Sequence, residues 1–99
     1  MKVSYPAIFY ETKEGIYNLV FPDFDQATFG EDLDDAVFMA KDLLSLLVTV
    51  NLEDHHKLPK PTALEDVDIH YEDRDGWEYV RAFVKIIEVD VEVPQGKGE

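Results

Sequence analysis

The stretch Val3–Glu11 most limits how this chain can fold, because apolar side chains occupy both faces of the strand it predicts. They fall at odd and at even positions: Val3, Tyr5, Ala7 and Phe9 on one face, Pro6, Ile8 and Tyr10 on the other. Side chains of a strand alternate between its faces, so this strand must be covered on both. Pro6 has no N–H to donate, and we expect the strand to lack a neighbour there or to be bulged.

The next thirty residues predict a hairpin and a third strand. Thr12–Gly15 has the composition of a turn, and Ile16–Phe21 predicts the returning strand, which Pro22 ends. After a short loop, Ala27–Gly30 predicts a third strand.

A single amphipathic helix follows. Asp32 is the expected N-cap, with Asp35 three residues later as a weaker form of the capping box. Apolar residues then recur at helical spacing: Leu33, Ala36, Val37, Ala40, Leu43, Leu44, Leu47 and Val48. The β-branched run Val48–Asn51 is a poor continuation, so we expect the helix to fray there.

The segment after the helix predicts extended structure and a last strand. Pro59 and Pro61 favour an extended backbone. Apolar and charged residues then alternate through Val67, Ile69 and Tyr71, which predicts a half-exposed strand. Asp73–Gly76 has turn composition, and Trp77–Val93 predicts a long returning strand.

The apolar positions of that last strand change parity. They are even from Val80 to Ile86 and odd from Ile87 to Val93, which requires a bulge or a change in the surface being covered. We expect Val80–Ile87 to complete the sheet, and the remainder to form an oligomer interface lined by Ile87, Val89, Val91 and Val93. The alternative is a frayed tail with an exposed acidic stripe.

These elements define an α+β domain of order β-β-β-α-β with one helix on one face of a four-stranded sheet. We expect one domain over residues 1–93 and a disordered tail over 94–99, because 99 residues are too few for two cores. The right-handed crossover rule predicts that the strand after the helix runs parallel to the first. The second face of the sheet is then left for other cover.

Composition favours a basic protein partner. Nine basic and 22 acidic side chains give a formal charge of −13, which repels nucleic acid and attracts cationic proteins. The acidity is also open to a simpler explanation as a device for solubility. Cysteine is absent, which suits a reducing compartment, and the N-terminal region has no long apolar run. We expect a cytoplasmic protein without a membrane span.

Several short motifs occur together in one order. They are Tyr5-Pro6-Ala7, Phe21-Pro22-Asp23, Thr28, Gly30, Asp34-Asp35-Ala36, Ala40, Leu58-Pro59-Lys60-Pro61-Thr62, Ala82-Phe83-Val84 and Val89-Asp90. In this order, which extends over almost the whole chain, the sequence resembles the HicB-like antitoxins. The resemblance implies a partial RNase H-like sheet that binds a small basic ribonuclease toxin of the HicA type and covers its catalytic histidine.

The resemblance also guides the choice of contact residues. Asp23 is the first choice, as an acidic side chain on a loop after a strand, although it could instead cap its own loop. The full set expected to contact the toxin is Phe21, Pro22, Asp23, Asp25, Glu65, Asp66 and Asp68. A homodimer or higher homo-oligomer is also expected.

The sequence departs from the family pattern at two places. Asp25-Gln26-Ala27 stands where the family commonly has Pro-Gly-Cys. Full-length members often add a C-terminal DNA-binding domain, whereas this sequence ends soon after its last strand, so we expect no direct DNA binding. An orphan protein- or ligand-binding domain without a toxin is the competing interpretation.

Neither catalysis nor metal binding is expected. Glu11, Asp23, Asp25 and Asp34 could in principle hold Mg²⁺, but carboxylates are so abundant that chance clustering is expected, and no basic patch would bring RNA in. The Asp54-His55-His56 run is better explained by the helix dipole than by a metal ion. No cofactor motif is present.

Overall fold

The computed structural model describes residues 1–71 and 78–93. The strands are β1 (Lys2–Glu11), β2 (Tyr17–Phe21), β3 (Gln26–Gly30) and β4 (Arg81–Asp90), and the helix is α1 (Leu33–Glu53). They form an antiparallel sheet in the order β3-β2-β1-β4, with α1 packed on one face. The predicted α+β class and element order are therefore confirmed. The predicted turn at 73–76, the start of the last strand at Trp77 and the tail at 94–99 lie outside the described residues.

Strand β1 is covered on both faces, as its sequence predicts. Residues Tyr5 to Tyr10 are all buried. Its odd positions pack with the helix in one cluster, and its even positions Ile8 and Tyr10 belong to a second cluster with Val20. The strand thus separates two apolar layers.

Pro6 lies where the pairing of β1 with β2 stops. The last paired residues are Ile8 and Val20, and the same register would place Pro6 opposite Pro22. Neither proline has an N–H, so neither could donate the next ladder bond. The missing neighbour expected at Pro6 is therefore found on the β2 side, while β4 continues beside it through the Pro6 and Ile86 pair.

The N-terminal end of α1 is built as predicted, with one addition from the preceding strand. The Asp32 carboxylate accepts from the Asp35 N–H at 2.8 Å, and the Asp35 carboxylate accepts from the Glu31 N–H at 2.9 Å. A Cβ placed on Gly30 would lie 2.2 Å from the Ala36 nitrogen. Only glycine allows β3 to approach the first turn this closely.

The predicted fraying of the helix at Val48–Asn51 is wrong, because α1 continues to Glu53. Val48 is fully buried and Leu52 packs against the same core, so tertiary packing outweighs the weak local propensity. The Asn51 side-chain amide also donates to the Leu47 carbonyl at 2.8 Å. The helix ends with His56 N–H donating to Asn51 O and His55 at φ 59°, which is a Schellman motif.

The predicted parallel orientation of the last strand is wrong. Strand β4 runs antiparallel to β1, with Arg81 opposite Glu11 and Asp90 opposite Lys2. After α1 the chain returns over the second face of the sheet before β4 begins. It therefore enters β4 beside the end of β1, which makes the two strands antiparallel. The crossover rule applies to parallel strands joined by one connection, so it does not apply here.

The change of parity in β4 reflects a change in which surface is covered. The ten pairs with β1 keep one register without a bulge. The even residues Ala82 and Val84 pack on the second face, whereas Ile87, Val89 and Val91 pack in the core under the helix. Ile86 lies on the second face past the residues packed there and is 47% exposed.

Candidate partner-binding surface

A tight turn after β2 forms the first part of the surface. Phe24 and Asp25 both donate backbone N–H groups to the Phe21 carbonyl, at 3.0 and 2.8 Å. Asp25 has φ 56°, the left-handed conformation that Asp tolerates better than most residues. Asp25 thus supplies a conformation usually given by glycine, at the place where the sequence departs from Pro-Gly-Cys.

The Asp23 carboxylate ties this turn to a distant part of the chain. It accepts from the Thr62 N–H at 3.0 Å and from the Thr62 hydroxyl at 2.5 Å. Asp23 therefore neither caps its own turn nor points freely into solvent. Its half-buried carboxylate orders the segment after the helix. Residues 54–71 are called the post-helix segment below.

Tyr5 provides a second tie between the sheet and the post-helix segment. Its hydroxyl donates to the Pro59 carbonyl at 2.5 Å, and its ring meets that of Phe24 edge-on with centroids 4.7 Å apart. Burial, with the negative charge of Asp23 as the smaller cause, raises the pKa of Tyr5 above its ordinary value of 10.0. The neutral hydroxyl needed for this hydrogen bond is thereby favoured.

The end of the post-helix segment covers the second face of the sheet. The Tyr10 hydroxyl donates to the Ile69 carbonyl at 2.8 Å, and the Tyr71 hydroxyl donates to the Asp25 carboxylate. The predicted strand over Val67, Ile69 and Tyr71 is wrong, because this stretch pairs with no strand. Its alternation is real, however: these three side chains are half-buried against the sheet, and Asp68 and His70 between them are exposed.

The structure separates the seven expected toxin contacts into exposed and buried groups. Phe21 is fully buried in the helix-side core, which corrects its expected role as a contact. Pro22 and Asp23 are half-buried. The exposed ones are Asp25, Glu65, Asp66 and Asp68.

Hydrogen bonds from Thr62 to Asp23 and from Tyr71 to Asp25 join the turn to the post-helix segment. The exposed carboxylates therefore lie on two stretches of chain that are braced against each other. Leu64, at the start of a 3₁₀ turn over Leu64–Asp66, is 54% exposed among them. We call the residues of 22–25 and 61–68 together the acidic surface.

The structure also corrects most of the expected oligomer interface. Ile87, Val89 and Val91 are 1%, 8% and 7% exposed and pack in the chain's own core. Their odd positions on β4 lie on the face that α1 covers. Val93 is half exposed.

The carboxylates and histidines weighed for metal binding are dispersed. Glu11 pairs with Arg81 at 2.9 Å, opposite the start of β2 at Tyr17, whereas Asp23 and Asp25 follow the far end of β2 at Phe21. Within residues 1–71 and 78–93, no group of three or more His, Asp or Glu side chains is placed to hold a metal ion. His55 and His56 form the helix C-terminal motif through their backbones.

Sequence reasoning missed Thr62 and the hydroxyls of Tyr5 and Tyr10 as groups that order this surface, and it missed Leu64 as its exposed apolar residue. Thr62 carried the only usable signal, because it belongs to the Leu58–Thr62 motif. The tyrosine contacts join residues 54 and 59 positions apart, and no local pattern reports such pairs.

Together these features describe an acidic α+β domain with a braced surface suited to binding another macromolecule. Comparison with known proteins then identifies the family. Residues 4–72 match the family described as HicB-like antitoxin of bacterial toxin–antitoxin systems, and the chain belongs to that family. The expectation drawn from the motifs is confirmed.

A solved structure supports the same assignment. The chain resembles one described as a toxin–antitoxin complex from Streptococcus pneumoniae, with a TM-score of 0.77 and 29% sequence identity. The match covers 94% of this chain and 71% of that one. No curated protein matches the chain. In the described part of the chain, no helix combines the length and apolar character needed to cross a membrane.

Proposed function

We propose that this antitoxin neutralises a small basic mRNA-cleaving toxin of the HicA type by binding it and covering its catalytic site. The observation that carries the proposal is the acidic surface, where the exposed Leu64 is followed by the exposed carboxylates of Glu65 and Asp66 on a backbone braced by the Asp23 to Thr62 hydrogen bonds. The encounter takes place in the cytoplasm, where mRNA is found.

Charge and bracing have separate roles in this proposal. A charge of −13 accelerates the capture of a cationic partner and disfavours other acidic chains. Bracing lowers the entropy lost when the loops are ordered in the complex. Leu64, which is 54% exposed, would supply apolar contact, and the half-buried Pro22 and Asp23 would add a smaller part of the contact.

We propose no catalytic role for the chain. Three of the four carboxylates that could have held Mg²⁺ are engaged elsewhere: Glu11 with Arg81, Asp23 with Thr62 and Asp25 with Tyr71. The family description, an antitoxin, supports this proposal without requiring any chemistry from the chain.

Co-expression tests the proposal. The basic protein encoded in the neighbouring reading frame should arrest growth when expressed alone, and this chain should restore growth and co-purify with it. The charge-reversed variant Glu65→Lys/Asp66→Lys should associate at least tenfold more slowly at low salt, whereas Glu14→Lys, in the turn between β1 and β2, should not. Growth arrest that persists beside the folded wild-type chain would reject the proposal and favour an orphan binding domain.

We also propose that the chain forms a homo-oligomer, most simply a homodimer. Exposed apolar side chains on α1 support this: Phe38 and Leu46 are 66% and 59% exposed. Light scattering should give twice the mass of one chain, and a monomer at micromolar concentration would contradict the proposal.

A further inference from the structure

Strand β4 is an open edge of the sheet. It is ten residues long and keeps one register with β1 throughout, and no other strand of the described chain pairs with it. Long straight edges are uncommon in proteins unless a partner covers them, because their unpaired backbone groups can pair with another chain.

The hydrogen-bond pattern shows which backbone groups of β4 face outward. Val91 N–H donates to the Met1 carbonyl at 2.9 Å and Met1 N donates to the Val91 carbonyl at 2.8 Å, so these two form a hydrogen-bonded pair. Such pairs recur at every second residue of an antiparallel ladder. Odd residues of β4 therefore bond to β1, and the N–H and C=O groups that point outward belong to Ala82, Val84, Ile86, Glu88 and Asp90.

The other side of β1 confirms this assignment independently. Thr12 N–H donates to the Ile16 carbonyl at 2.8 Å, in the register that pairs Glu11 with Tyr17. Even residues of β1 therefore bond to β2, which leaves the odd ones for β4.

An acidic groove lies at one end of this open edge, on the helix side of the sheet. Its volume is about 740 Å³, and it separates the second half of α1 from the end of β4. Its lining residues are Ser45, Thr49, Glu53, Asp90, Val91, Glu92 and Val93. The lining thus contains three acidic residues and no lysine or arginine. The Asp90 carboxylate is already paired with the N-terminal ammonium at 3.0 Å, which leaves Glu53 and Glu92 as the acidic groups for a partner.

In two-fold antiparallel pairings centred on Lys85, Ile86 or Glu88, a second copy of the chain brings no opposite charges together at this edge. In a two-fold antiparallel pairing with Ile86 on the axis, Glu88 would face Val84 and Lys85 would face Ile87, so no opposite charges meet. Shifting the axis to Lys85 or to Glu88 places like charges opposite each other, which destabilises a strand pair. Basic side chains would instead complement the groove.

We propose, building on the antitoxin function above, that an extended segment of the basic toxin adds to β4 as a fifth strand. Its backbone pairs with the outward groups of the even β4 residues. Its lysine or arginine side chains on the helix side enter the groove toward Glu53 and Glu92, and apolar side chains on its other face cover Ile86. The segment is therefore recognised by alternating basic and apolar residues.

A proline substitution tests the edge without breaking the existing ladder. Ile86→Pro removes an N–H that points outward, so the bonds to β1 remain. The matched control is Ala27→Pro on β3, the other open edge. Odd residues of β2 bond to β3 and lie opposite its even residues, so the N–H of Ala27, an odd residue, also points outward. Circular dichroism and thermal unfolding should show both variants folded.

Binding of the neighbouring toxin is then measured by calorimetry. Ile86→Pro should bind at least tenfold more weakly than the wild type, Ala27→Pro should match the wild type, and Glu53→Lys/Glu92→Lys should weaken binding at least fivefold. Hydrogen exchange should slow at the Val84, Ile86 and Glu88 amides when toxin is added. Equal affinity of Ile86→Pro and wild type, or unchanged exchange at these amides, would overturn the proposal while leaving the antitoxin function intact.

A peptide makes the test independent of the toxin. An acetylated decapeptide of alternating valine and lysine should shift the amide resonances of the even β4 residues in the wild type and not in Ile86→Pro. A peptide of alternating valine and glutamate should shift them less. Equal shifts from both peptides, or no shifts from either, would contradict the proposal that the toxin occupies the β4 edge. Conversion of a dimer to a monomer by Ile86→Pro would contradict it too. Failure of the wild type to bind toxin at all would instead reject the proposed function.

Discussion

Residues 2–53 and the post-helix segment of residues 54–71 are held in place by different kinds of interaction. The first region is made of strands and a helix with local signals: an N-cap at Asp32, a glycine at the close approach of Gly30, and alternating or helical apolar spacing. The second has one turn of 3₁₀ helix and is held by side chains that reach it from the sheet. Damage to the first region should unfold the whole domain, and damage to the second should release a segment.

The largest expected effect is at Gly30. Gly30→Ala places a Cβ 2.2 Å from the Ala36 nitrogen, and separating β3 from α1 should lower the free energy of unfolding by about 3 kcal/mol. Urea titration measures this loss. Gly15→Ala is the matched control, because Gly15 has φ 89° but no neighbour within 4 Å, so its cost should be only about 1 kcal/mol. Equal costs would show that the close approach does not matter.

The next effect should be confined to the post-helix segment. Asp23→Ala removes both hydrogen bonds to Thr62 and should cost about 2 kcal/mol, since bonds to a charged group are stronger than neutral ones. Hydrogen exchange should accelerate at the Thr62 and Tyr71 amides and stay unchanged in α1. The exposed Glu65→Ala should change stability by less than about 0.5 kcal/mol. Uniform acceleration over the whole sheet would erase the distinction between the two regions.

Tyr5 makes the same tie dependent on pH. Burial raises its pKa above 10.0, so the native state favours the neutral hydroxyl; its contribution is complete below pH 10 and is lost as pH rises through the raised pKa. Tyr5→Phe should therefore cost about 1 kcal/mol at pH 7, and the difference from wild type should shrink above pH 10. Urea titrations of both proteins from pH 7 to 11 measure this. A stability difference between the two proteins that does not change with pH would show that ionisation of the Tyr5 hydroxyl is not coupled to folding.

The smallest effect lies where the two regions join. His55 adopts φ 59° at the position after the helix where glycine is favoured, so His55→Gly should raise stability by about 0.5 kcal/mol. His56→Gly should give no gain, because His56 is not among the residues of positive φ. Thermal unfolding of the two variants compares them directly, and a loss for His55→Gly would reject this explanation.

The same comparison explains what could be predicted from the sequence. The strands before the helix, the Asp32 cap and the need to cover β1 on both faces follow from sequence patterns within a few residues, and these predictions are confirmed. The errors all concern the chain after Leu47: the end of the helix, the strand over Val67–Tyr71 and the direction of β4. Each of these features depends on contacts between distant parts of the chain, such as Tyr10 with Ile69. The alternation of apolar and polar residues in the sequence does not predict such contacts.

The expected surface shows the same division. Residue type identified exposed carboxylates at Asp25, Glu65, Asp66 and Asp68, since charged side chains in loops stay in water. It could not show that Asp23 would be engaged by Thr62, nor that Ile87, Val89 and Val91 would face the helix. Those outcomes depend on the path of the post-helix segment and on the register between β1 and β4.

Inhibition of the toxin tests the central claim most directly. RNA cleavage by the purified neighbouring toxin should be measured while this chain is added in increasing amounts. The account predicts that cleavage stops once the chain saturates the toxin, and that the chain alone leaves RNA intact with Mg²⁺ present. Undiminished cleavage in the presence of an excess of folded chain would contradict it.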